Sequence, residues 1–229
     1  MTDTVPAALA VAAGAAAQAV IGIGFALVCA PFLVALEGGR EGVRTAVLLS
    51  GVLNLAMLVR HRREARPKDA LWLLVPALAV TPLFAAGVRR LPARSLEVAA
   101  GVVTLTAVAV LAVGVRVRAA RGRVGAVGAG VVSAATNVVA GIGGPPVAMW
   151  AVNADWPPRE ARATFQLYFL CLNAVALAGL GLPSPAPVLF AAMGAGWAVG
   201  AALDRYVSDR AARAGVLALA AAGAVIALV

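Results

Sequence analysis

Two apolar runs in this chain, residues 5–36 and 124–152, are too long to cross a bilayer as single straight helices, and each holds a glycine cluster near its middle. At 1.5 Å per residue the first would extend about 48 Å, against a hydrocarbon core of about 30 Å. Each run must therefore break. Ile21-Gly22-Ile23-Gly24 marks the place in the first run, and Ala140-Gly141-Ile142-Gly143-Gly144-Pro145-Pro146 marks it in the second. Glycine is the poorest helix former after proline and readily adopts backbone conformations closed to other residues. Proline lacks an amide hydrogen but suits the first turn of a new helix, so GGPP reads as an unwound link followed by a helix start.

The remaining apolar stretches, 43–59, 70–88, 95–115, 163–182, 186–203 and 214–229, are joined by short charged or proline-bearing links. With 62% hydrophobic residues and only 13% charged, the chain is an integral membrane protein with no room for a soluble domain. Backbone polar groups in lipid must be satisfied internally, and the alternating polarity of outer-membrane strands is missing, so the spans are helices. The net charge of +9 does not indicate nucleic acid, because the arginines sit in the links, as at Arg60-His61-Arg62-Arg63 and from Arg116 to Arg123. Loop arginines of this kind orient a membrane protein. The start, MTDTVP, has no basic region of a secretory signal and is expected to remain uncleaved. Cys29 and Cys171 lie within apolar stretches and are expected to be buried free thiols.

A polar and glycine signature occurs twice at a constant separation of 119 positions. Gln18, Gly22, Gly24 and Asn54 fall on Asn137, Gly141, Gly143 and Asn173, while Glu41 and Thr45 fall on Glu160 and Thr164. Most surrounding positions keep only their apolar character. The expected architecture is an all-α integral membrane domain of two homologous four-segment repeats, residues 1–115 and 116–229, each opening with a glycine-broken helix.

Loop charge predicts how the chain is threaded. If all eight stretches cross, Lys and Arg divide 9 against 10, and neither orientation is preferred. If 5–36 and 124–152 are re-entrant, entering and returning on one side, the links at 60–68, 116–123, 159–162 and 205–213 share a face and the division becomes 14 against 5. That asymmetry fits the positive-inside rule for a multi-pass protein of the inner (cytoplasmic) membrane with both termini outside, and it makes the two halves inverted.

Unwound backbone at membrane depth is tolerated only inside protein or beside a watery cavity, so the breaks mark a candidate site. A half-helix starting after each break would aim free N–H groups and a positive dipole end at an anion. Close helix packing is the other use of membrane glycines, and is the reading adopted for Gly14 and Gly128. Gln18 and Asn137, four residues before the breaks, would bind substrate or tie down freed carbonyls. Asn54 and Asn173 lie inside spans, where polar side chains face the protein interior, and would touch ligand or bond between helices. Gln166 shares a helical face with Asn173 and is a further polar candidate beside Thr164 and Tyr168. Arg44 and Arg162 stand where they would draw anions in, or anchor helices at the interface. Glu97 and Asp204 are the acids nearest apolar segments, as coupling-proton carriers or as snorkelling side chains. The single histidine, His61, has no metal or catalytic partners at a recognisable spacing, and no GxxxxGK[ST] phosphate loop occurs.

The GIGGPP run, followed by Arg162-Ala163-Thr164 and Asn173 and preceded by a glycine-bearing copy, resembles the TauE/SafE family of membrane transporters. The resemblance covers nearly the whole chain and is strongest over 136–173. It departs in the first copy, where Phe25 and Ala26 follow Gly24, although Pro31 lies at a plausible place. It implies export or uptake of sulfite, sulfonates and related organosulfur anions by a secondary carrier, with no enzymatic activity and no cofactor. It also implies a substrate cavity floored by Gly22 and Gly24 from the first break and Gly141, Gly143, Gly144 and Pro145 from the second. The partners expected are a small anion, membrane lipid and a coupling ion, H+ or Na+. An anion channel and a non-transporting membrane scaffold are the alternatives.

Overall fold

A computed structural model of the chain describes residues 4–114 and 121–228. The expected repeat boundary at 115/116 and the loop arginines Arg116 and Arg118 lie outside the described residues. Among the described residues the secondary structure is helical throughout: α1 (Thr4–Ile21), α2 (Phe25–Glu37), α3 (Gly39–His61), α4 (Pro67–Val88), α5 (Ala93–Val113), α6 (Gly122–Ala140), α7 (Gly144–Asn153), α8 (Pro158–Leu180), α9 (Pro187–Leu203) and α10 (Asp209–Leu228). Seven of them, α1, α3, α4, α5, α6, α8 and α10, are long and apolar enough to cross a membrane, while α2 and α9 are shorter apolar helices. Proline opens α4, α8 and α9, where its fixed φ and missing N–H carry no penalty.

Both long apolar runs break where the glycines stand. Gly22 and Gly24 take φ of 86° and 134°, and Gly141 takes 71°, values that disfavour a side chain. Gly141 ends α6 in the manner of a left-handed C-terminal cap, with its N–H on Asn137 O at 2.8 Å and that of Ile142 on Thr136 O at 3.4 Å. Beyond the first break, α2 folds back onto α1: a Cβ added to Gly14 would stand 2.7 Å from Phe25 O and 3.4 Å from Cys29 Cβ. Of the two glycines expected to serve packing, Gly14 does so, whereas a Cβ at Gly128 would meet nothing within 4 Å. Beyond the second break α7 returns along α6, so that Arg121 pairs with Asp155 at 3.6 Å and Trp150 Nε1 donates to Gly122 O at 3.2 Å. Both ends of the α6–α7 hairpin thus lie at one end of the bundle.

Two pairs of helices at the 119-residue offset, α3 with α8 and α5 with α10, pack against each other in opposite directions. The start of α3 meets the end of α8, where Arg44 Nη2 donates to Leu182 O at 2.7 Å, and the α3–α4 link meets the start of α8, where Arg66 N donates to Thr164 Oγ1 at 3.0 Å. Likewise Arg94, at the start of α5, donates to Leu228 O at the end of α10 at 3.0 Å, while Arg213 near the start of α10 donates to Leu111 O near the end of α5. The hairpins exchange neighbours as well: α1 packs on α9, and its counterpart α6 packs on α4. Lipid is as apolar as leucine, so such contacts depend on close approach. Gly196 and Gly200 of α9 press on the backbone of Ala12 and Ala16 of α1, and Gly130 of α6 presses on that of Leu73 in α4. Small residues in these stripes bring the helix axes close enough for dispersion contacts to hold them.

Each hairpin tip rests on a helix of the other half. Gly22 lies against the side chain of Arg162 in the second turn of α8, and Gly141 lies against Ala46 and Val43 O near the start of α3. Arg162 and Val43 are themselves 119 positions apart. Cys29 is buried, Cys171 is partly buried, and both are free.

Candidate functional site

Between the two hairpins lies a cavity of about 380 Å³. Backbone from both breaks lines it, as Gly24 from the first and Gly141, Gly143, Gly144 and Pro145 from the second. So do the four repeated amide side chains, Gln18 on α1, Asn54 on α3, Asn137 on α6 and Asn173 on α8, all of them buried. The rest of the wall is chiefly apolar, with Phe25, Met149, Phe169 and Leu217 among its larger side chains.

The amides pair within their own halves. Gln18 Nε2 donates to Asn54 Oδ1 at 3.3 Å, and Asn137 Nδ2 donates to Asn173 Oδ1 at 3.0 Å. Interhelical bonding is therefore realised at both asparagines, and it leaves chemistry to spare. Asn54 and Asn173 accept through oxygen, so their Nδ2 groups keep their hydrogens for another acceptor. Gln18 is more heavily committed, since its Nε2 also donates to Gln166 Oε1 at 3.3 Å and its Oε1 accepts from Phe25 N at 3.0 Å. Gln18 thus ties down a freed amide at the start of α2, where the sequence pointed to substrate or to a freed carbonyl.

Freed carbonyls are held by other side chains. Gln166 Nε2 donates to Gly22 O at 3.0 Å and Ser133 Oγ to Gly143 O at 2.7 Å. Gln166 and Gly22 sit behind the cavity wall, where they fix the shape of the first break. Arg44 and Arg162 also lie away from the cavity lining. Arg44 Nε donates to Gly181 O at 3.0 Å beside its ion pair with Glu41 at 2.9 Å, and Arg162 Nη1 donates to Val20 O at 3.3 Å. Both guanidinium groups cap the C-terminal carbonyls of a neighbouring helix, where a cation is favoured by the helix dipole. Glu97 accepts from Gly39 N at 3.2 Å and pairs with Arg94 at 3.4 Å, while Asp204 is exposed at the end of α9.

The two breaks differ as donors. At α2 the N–H groups of Ala26 and Leu27, both lining the cavity, meet no acceptor among the described residues. The equivalent positions in α7 are Pro145 and Pro146, which have no N–H, so that half offers Gly143 and Gly144 alone. Three cavity or hairpin residues escaped sequence reasoning. Ser50 lines the cavity, and its buried Oγ has no hydrogen-bond partner among the described residues. Ser133 holds the second break, and Arg213 is the one charged side chain among the described lining residues. A signal for Arg213 was present, because Arg94 and Arg213 are 119 residues apart; the serines lack counterparts, facing Phe169 and Gly14 at that offset.

No curated protein and no solved structure matches the chain. The family described as sulfite exporter TauE/SafE matches residues 7–227, a span that takes in both hairpins, all four cavity amides and the helices that hold them. By that near-complete match the chain is a multi-pass membrane protein of the sulfite exporter TauE/SafE family.

Proposed function

We propose that the protein is a secondary carrier that moves a small organosulfur anion, sulfite or a sulfonate, across the cytoplasmic membrane by alternating access around this cavity. The observation that carries the reading is the joint lining: both glycine breaks and one amide pair from each half converge on a single space. An oxyanion bound there would accept from the free Nδ2 hydrogens of Asn54 and Asn173 and from the exposed amides of α2, at the positive end of that helix. The cavity lacks an acid among its described lining residues, in keeping with an anionic substrate.

The two halves, residues 1–115 and 116–229, act in this proposal as inverted repeats whose hairpins are re-entrant. The opposed directions of α3 and α8 and of α5 and α10 support the inversion, and the joined ends of the α6–α7 hairpin support re-entry. At 18 and 19 residues, α1 and α6 are each long enough to span on their own, so the hairpins are deep ones whose tips approach the far face. Rocking one hairpin and its partner helices against the other half would then open the cavity to each side in turn. Coupling falls to H+ or Na+. Purified protein in liposomes tests this directly: uptake of sulfite or an organic sulfonate should saturate and show counterflow. Flux that never saturates and shows no exchange would instead identify a channel, and absence of flux would return the scaffold reading.

A further inference from the structure

Glu97 is among the charges that the duplication does not preserve, and its counterpart position in the second half lines the cavity. Arg94 and Arg213 occupy equivalent positions and perform the same structural task, each capping the C-terminal carbonyls of the other's helix, Arg94 on Leu228 O and Arg213 on Leu111 O. One turn after Arg94 stands Glu97, whose carboxylate lies 3.4 Å from the guanidinium. The equivalent of Glu97 is Val216. Arg213 therefore has no acidic partner among the described residues.

Location makes this difference functional. Arg213 and Val216 both line the cavity, together with Leu111 and Gly114 from the end of α5, whereas Arg94 and Glu97 lie outside it. Val216 faces the first break, its Cγ1 standing 3.7 Å from where a Cβ of Gly24 would be. One Arg213 nitrogen caps α5, which leaves the rest of a five-donor group for a ligand. We infer that Arg213 is the counter-charge of the transported anion, a specificity residue at the rim of the cavity that favours a negatively charged sulfur oxyanion over neutral compounds of the same size. The inference rests on the carrier reading and extends it. A glutamate at 216 would neutralise Arg213, as Glu97 does Arg94, and set a carboxylate on the substrate's path; valine keeps the path open.

The test is sulfite and ethanesulfonate counterflow in liposomes containing wild type, Arg213→Gln, Arg213→Lys, Val216→Glu and Arg94→Gln. Loss of a charge-assisted hydrogen bond predicts a KM raised about tenfold in Arg213→Gln with turnover little changed, and a smaller rise in Arg213→Lys. Val216→Glu should raise KM as well, with Arg213 still present. Arg94→Gln loses the same helix cap together with its exposed ion pair to Glu97, so it should be no more stable than Arg213→Gln while keeping the wild-type KM, which separates a role in substrate binding from a role in folding. Wild-type KM in Arg213→Gln and Val216→Glu would overturn the inference and leave the carrier reading intact. A wild-type protein that moves neither anion would overturn both.

Discussion

Asn137 donates to Asn173 Oδ1 at 3.0 Å, and the bond recurs 119 residues earlier from Gln18 to Asn54 at 3.3 Å. The duplicated polar residues thus form two equivalent crosslinks between a hairpin's first limb and the helix that follows the hairpin. Each crosslink fixes one wall of the cavity and presents a free amide to it.

Asn173→Ala leaves Asn137 Nδ2 buried without its acceptor, which costs about 1–3 kcal/mol in protein mutational series. Asn137→Ala in the same background should then cost much less than it does alone. Thermal unfolding of the four proteins in detergent gives the coupling as a double-mutant cycle, expected at about 0.5–3 kcal/mol; strict additivity would show that the bond contributes nothing.

Glycines at the two breaks should respond differently to alanine. At Gly22 a Cβ would lie 2.5 Å from Arg162 Cδ on backbone with φ of 86°, so Gly22→Ala should destabilise by about 1–3 kcal/mol. At Gly144 a Cβ meets nothing within 4 Å, and the only penalty is crowding ahead of Pro145. Melting temperatures that fell equally for both variants would contradict the geometry of the first break.

Threading is open to surface labelling. With Cys29 and Cys171 replaced by alanine, single cysteines at Arg63, Asp155 and Ser208 should react with a membrane-impermeant maleimide from one side of sealed vesicles, and one at Arg90 from the other. Asp155 is the informative position, because a full crossing by 124–152 would place it opposite Arg121.

Much of this arrangement was legible in the chain. The overlong apolar runs marked the breaks, and the offset of 119 picked out the four amides though not which pairs with which, because burying a polar group in a membrane is costly enough to leave only purposeful ones in place. Spacing alone could not distinguish a residue beside the cavity from one behind it. Gln166 shares a face with Asn173, yet its amide is used by Gly22 O and the carbonyl of Arg162 at 3.2 Å. Arg44 and Arg162 have the charge for an anion entrance, but their donors are aimed at helix-end carbonyls, a choice fixed by tertiary packing. Arg213 was hidden for the opposite reason: counted among loop charges, it becomes distinctive only when Val216 is compared with Glu97.

The central claim is that the cavity between the breaks holds the anion, and ligand-induced stabilisation tests it most directly. Ala26, in the first turn of α2, is partly exposed on the cavity wall, so Ala26→Phe should fill the space without disturbing the fold. Sulfite or an organic sulfonate at a hundredfold excess over its dissociation constant should stabilise the wild type by about 2.7 kcal/mol. The same ligand should leave the melting temperature of Ala26→Phe unmoved, with the unliganded values of the two proteins close together. Equal ligand stabilisation of both proteins would place the anion elsewhere and contradict the account.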